Sequence, residues 1–115
     1  SIAHVDAHYQ YLKAAALMAR YVKLRPADPF GHFFLGYLQL MNRKYDEAIR
    51  SLHQGLELSP DNIYGLCKLS RAYLARDRKE DRPQAEELLS QAAVLAPGHI
   101  RVKWLKHALT ARERR

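Results

Sequence analysis

Small and apolar residues return along the chain in one pattern, three times. Ala14, Met18, Tyr21, Leu24 and Pro26 form the first instance, Ala48, Leu52, Gly55, Leu58 and Pro60 the second, and Ala85, Leu89, Ala92, Leu95 and Pro97 the third. Within each, the steps are four, three, three and two residues, and the leading alanines stand 34 and then 37 residues apart. Steps of three and four place side chains on one helical face, and the closing proline cannot continue a helix. A small residue at the head of each face lets a neighbouring helix approach closely. Repetition at this period marks stacked supersecondary units.

The intervening stretches are helical too. Asp28-Pro29 supplies a capping acid followed by a proline suited to the first turn. From there Phe30, Phe33, Phe34, Tyr37, Leu38 and Met41 recur at helical spacing, as do Leu66, Leu69, Ala72 and Tyr73 after Pro60-Asp61. The run from Arg76 to Arg82 is polar throughout and reads as a solvated turn. Asp81, with Gln84 three residues on, reads as a capping box that opens the next helix. Gly98 fits a helix C-terminus. The pattern predicts helices near 4–24, 29–42, 45–58, 62–76, 82–95 and 99–113, and no strand. The expected class is all-α.

With these residues in place, the chain resembles the tetratricopeptide-repeat family, whose 34-residue unit is a pair of antiparallel helices with the pattern W-x2-L-G-x2-Y, A-x3-F, P. Residues 29–62 match it with His32, Leu35, Gly36, Gln39, Ala48, Leu52 and Pro60, and residues 63–99 with Leu66, Leu69, Ser70, Tyr73, Ala85, Leu89 and Pro97. His32 and Gln39 stand where the family has large aromatics, Ser70 replaces glycine, and the second unit carries three extra residues. The resemblance implies a right-handed superhelical stack of antiparallel helix pairs, an α-solenoid forming a single domain over 1–115. Residues 1–28 read as a partial or N-terminal repeat, and 29–62 and 63–99 as full repeats. Residues 100–115 read as a capping helix or a truncated next repeat, with Val102, Leu105, Ala108 and Leu109 as its apolar stripe.

In this family the first helix of each pair lines a concave groove. Carried over position by position, the resemblance offers Phe30, Phe33, Phe34, Tyr37, Leu40 and Met41 from the first full unit. The second offers Tyr64, Cys67, Lys68, Arg71, Leu74 and Ala75, with Arg101 and Trp104 from the last helix. Burial in a core is an equally good reading of Phe33, Phe34 and Leu40. The groove set is therefore Phe30, Phe33, Tyr37, Tyr64, Lys68, Arg71 and Arg101, aromatic at one end and basic at the other. Rigid aromatics supply contact area at low entropic cost, and arginine pairs directionally with carboxylates. The implied function is a scaffold or adaptor holding a peptide or protein, with an acidic or C-terminal carboxylate group as the fitting feature. Lys68 and Arg71 alone do not reproduce the family's carboxylate clamp. A self-associating module is the alternative, and a basic nucleic-acid binder a weaker one.

Charge and composition refine this reading. The 115 residues are 48% hydrophobic and 27% charged, which suits a globular protein, and the formal net charge of +7 with twelve arginines favours acidic partners. The clusters at 76–82 and 112–115 lack the regular base-reading pattern by which helical repeats bind RNA. The longest apolar run, Ala14 to Ala19, is far below the roughly 20 residues of a membrane span. A lone cysteine, Cys67, excludes an internal disulfide and reads as a small apolar filler. It leaves the compartment open, with the cytoplasm favoured and the periplasm as the alternative. The first residue is serine, which reads as a processed chain or an excised piece of a longer one. His4 and His8 share a helix face as zinc ligands can, but no third ligand is near, so they read as a solvated pair. Glu86 and Glu87 are adjacent and diverge around a helix. No phosphate-cradling glycine loop, nucleophile elbow or Cys–His arrangement is present. The sequence therefore predicts no enzyme, metal or cofactor.

Overall fold

A computed structural model describes the backbone of residues 2–113 and the side chains of residues 6–111. The described residues form six helices: α1 (Ile2–Leu24), α2 (Pro29–Met41), α3 (Tyr45–Leu58), α4 (Ile63–Arg76), α5 (Asp81–Leu95) and α6 (Ile100–Glu113). The all-α class holds, and each boundary falls within two residues of the sequence expectation. His4 of the His4–His8 pair and the basic cluster at 112–115 have side chains outside the described residues, while His8 is exposed.

The helix ends follow from local chemistry. Asp28 accepts the Phe30 N–H at 3.0 Å with Pro29 at the first helical position, and Asn62 accepts the Gly65 N–H at 2.9 Å. Asp46 and Glu47 place negative charge at the start of α3, where the helix dipole favours it. Arg43 and Asp77 adopt left-handed backbone with φ of 61° and 59°, turning the chain after α2 and α4.

Two compact units result, Ser1–Pro60 and Asp61–Arg115. In the first, α2 packs against both α1 and α3. Gly36 faces Leu52, Gln39 accepts the Ser51 hydroxyl at 2.7 Å, and Phe33 lies against Gly55, so α2 and α3 run antiparallel. Gln39 thus fills an aromatic position of the repeat with a hydrogen bond. His32, at the other, is buried with Nε2 2.8 Å from the Pro26 carbonyl. In the second unit α4 pairs with α5, and α6 packs on both. The Ser70 hydroxyl, fully buried, donates to the Ala85 carbonyl at 2.8 Å, so the missing glycine is replaced by a satisfied polar contact.

Ala48, Leu52, Ala85 and Ala92 are fully buried and Leu89 nearly so, while Ala14 and Met18 are half-buried. The recurring face is thus buried in α3 and α5, while in α1 Tyr21 is exposed. The fourth position is not part of it in any helix, since Leu24, Leu58 and Leu95 are all exposed at the helix ends. Extending Ala48 to leucine should overpack the α2–α3 contact and cost about 1–3 kcal/mol in chemical denaturation. Wild-type stability in that variant would contradict the register.

Three local expectations are corrected. Asp81 opens no capping box: its carboxylate turns back to Arg76 and to the Arg78 N–H, and α5 begins without a side-chain cap. The Arg76–Arg82 run is therefore not wholly solvated, because Asp81 is 1% exposed and the Arg76 side chain 17%. Gly98 adopts no left-handed conformation, and a Cβ there would meet nothing within 4 Å. Instead α5 ends at Leu95 and is capped by Ala96, whose N–H donates to the Ala92 carbonyl just before Pro97.

Candidate functional site

Within the second unit, α4 and α6 enclose a half-open pocket of about 110 Å³, lined by Cys67, Lys68, Arg71, Arg101, Trp104 and Leu105. Lys68 and Arg71 lie three apart on α4 and so share a face, and Arg101 and Trp104 do the same on α6. The apolar stripe of α6, with Val102, Leu105 and Leu109 buried, fixes which way these residues point. The Arg82 guanidinium adds a bond to the Leu109 carbonyl at 3.1 Å, tying α5 to the far end of α6.

Aromatic rings hold the cations in place. The Arg71 guanidinium carbon lies 5.4 Å from the centre of the Trp104 ring. Arg101 and Lys68 lie 5.2 Å and 5.3 Å from the centre of the Tyr64 ring. These separations are within the range of cation–π attraction, which leaves the polar heads able to meet a ligand. Burial pushes the Lys68 ammonium below its usual range, and the like charges of Arg71 and Arg101 push it further the same way. Burial likewise raises the Cys67 thiol, partly offset by Arg101 and Lys68, so Cys67 is a buried thiol and not an activated thiolate. None of the six lining residues is acidic.

Four of the seven expected groove residues, Tyr64, Lys68, Arg71 and Arg101, therefore come together on this unit. Of the other three, all on α2 in the first unit, Phe30 is 67% exposed and Tyr37 half-buried. Phe34, equally readable as core, is 47% exposed, with its ring centre 6.3 Å from that of Tyr37. Phe33 is a correction. It is 1% exposed and packs on Gly55, because only the bare glycine backbone of α3 leaves room for its ring. Leu40 and Leu74, also expected in the groove, are buried as well. Helical spacing alone could not separate these positions, since residues 30, 33 and 34 all fall within one turn. Trp104, offered with Arg101 by the resemblance, is the platform for Arg71, a role that only the packing of α6 on α4 decides.

The antiparallel pair α2–α3, with Gly36 and Ala48 at its closest approach, coincides with a match to the tetratricopeptide-repeat family over residues 29–62. Residues 29–62 form a tetratricopeptide repeat. The flanking alanine-headed helices, α1 and α5, carry the spacing of this repeat outside the matched residues. Tetratricopeptide repeats generally mediate protein–protein interaction and typically serve as non-enzymatic scaffolds. RanBP2-like and GRIP domain-containing protein 3 of Homo sapiens is 28% identical over 100 residues, which is 87% of this chain and 6% of that protein. E3 SUMO-protein ligase RanBP2 of Homo sapiens is 28% identical over 100 residues, 87% of this chain and 3% of that protein. The chain thus spans less than a tenth of the length of these relatives. Among the described residues, no helix is long and apolar enough to cross a membrane, and no three metal-ligating side chains are grouped.

Proposed function

We propose that the chain is a non-enzymatic interaction module that holds an acidic group of a protein partner, a side-chain or C-terminal carboxylate, in the pocket between α4 and α6. The observation that carries this reading is the convergence of Lys68, Arg71 and Arg101 on one cavity with no acidic lining residue. Rings hold the cations before a ligand arrives, so less entropy is lost on binding. Phe30 and Tyr37 offer apolar contact to a partner on the first unit. In this reading residues 1–28 serve as a partial or N-terminal repeat, 29–62 and 63–99 as full repeats, and 100–115 as a capping helix or a truncated next repeat. Register supports the cap: the positions of α6 that correspond to Leu66, Leu69 and Tyr73 of α4 are Lys103, Lys106 and Thr110, which are content in water.

The exposure of Phe30 and Phe34 on one helix favours a second reading, self-association, and sedimentation across a concentration series separates the two. A strict monomer removes it. For the pocket, Arg71→Glu should weaken binding of a degenerate acidic peptide library about 10- to 100-fold, the loss of a charge-assisted hydrogen bond. Its melting temperature should fall by no more than about 4–8 °C, because a partly exposed cation–π contact contributes only about 1 kcal/mol or less. Unfolding of the variant would make Arg71 structural and overturn the assignment.

A further inference from the structure

The cations of the pocket come from opposite walls, and the arrangement is reciprocal. Arg71 of α4 is held over Trp104 of α6, while Arg101 of α6 is held over Tyr64 of α4. Lys68 sits on the same wall as Arg71 and shares the Tyr64 ring with Arg101. Three donors therefore approach one cavity from two sides, in a space that about three or four waters would fill. A carboxylate is planar, has two oxygens, and neutralises one of three positive charges. A phosphomonoester presents three terminal oxygens in a tetrahedral array and carries close to two negative charges at neutral pH. Arginine forks match those oxygens directionally, with lysine as a point charge beside them.

We infer that the Lys68–Arg71–Arg101 pocket takes a phosphorylated serine or threonine side chain of a protein partner in preference to a carboxylate. This rests on the reading of the pocket as a site for an acidic group of a protein partner, and puts a phosphate in place of the carboxylate. A nucleic-acid backbone fits less well, since each phosphodiester carries a single charge and the pocket admits one group and not a continuous strand. The crowding of like charge around Lys68 is the electrostatic counterpart of the same geometry, and a doubly charged anion relieves it most.

The test compares degenerate peptide libraries that differ only at a fixed central residue, phosphoserine, glutamate or serine, with oligouridylate as a fourth ligand. Retention on the intact chain is measured at two salt concentrations. The phosphoserine library should be retained about tenfold more tightly than the glutamate library, the margin of one further charge-assisted bond. That preference should collapse in Arg101→Gln and return only in part in Arg101→Lys, which keeps the charge and loses the fork, with circular dichroism unchanged in both. Equal retention of the phosphoserine and glutamate libraries, lost together in Arg71→Glu, overturns the phosphate preference and leaves the acidic-partner reading standing. Retention of neither library overturns both. Tighter retention of oligouridylate than of phosphoserine peptides overturns the inference in favour of a nucleic acid.

Discussion

Phe33→Ala should destabilise the protein by about 3–5 kcal/mol in urea denaturation, the usual cost of emptying a buried aromatic site. The side chain is 1% exposed and lies against the backbone of Gly55. A groove residue would behave in the opposite way, losing partner binding while leaving stability alone. Gly55 supplies the control. Glycine to alanine in a helix ordinarily gains about 1 kcal/mol. Here the added Cβ overlaps the Phe33 ring, so Gly55→Ala should be destabilising. In the Phe33→Ala background the same change should recover its normal gain, and the double-mutant cycle isolates the ring–backbone contact. Additive effects would show that ring and glycine do not touch.

Asp81→Ala should cost about 3 kcal/mol, the lower end of what breaking a buried ion pair costs, because Arg76 retains some access to water. The carboxylate accepts from Arg76 at 2.9 Å and 2.6 Å and from the Arg78 N–H at 2.8 Å. These bonds, led by Arg76, hold its pKa below the usual carboxylate range. A depressed acid contributes stability above its unfolded pKa and loses it as pH falls through the folded value. The stability gap between the wild type and Asp81→Asn should therefore be full at neutral pH. It should close as pH drops below the unfolded carboxylate pKa of about 4. A gap independent of pH would mean the pair contributes nothing specific.

These two residues show where sequence reading stops. The alanine-headed helices, their proline ends and the Asp28 and Asn62 starts were legible because each is a local matter of spacing and capping. Asp81 also stood three residues before a glutamine, the sign of a capping box, yet its carboxylate went to Arg76. That choice depends on how α4 ends, at the left-handed Asp77, and not on the residues following Asp81. Likewise Phe30, Phe33 and Phe34 are chemically alike and nearly adjacent, and only the glycine at 55 decides which is core.

The candidate site divides the same way. Tyr64, Lys68, Arg71 and Arg101 were identifiable from repeat position, since a helix of known register has a known outward face. Their convergence was not, because Arg101 is 30 residues from Arg71 and reaches the pocket only through the packing of α6. The sequence by itself determined six helices and the small residues at their closest approach, since periodicity, small side chains and helix-breaking residues act over a few positions. Their antiparallel pairing was what the family resemblance implied. Tertiary structure alone decided which aromatic was buried, which acid met which base, and which cations shared a cavity, because each is settled by groups far apart in the chain that packing brings within reach.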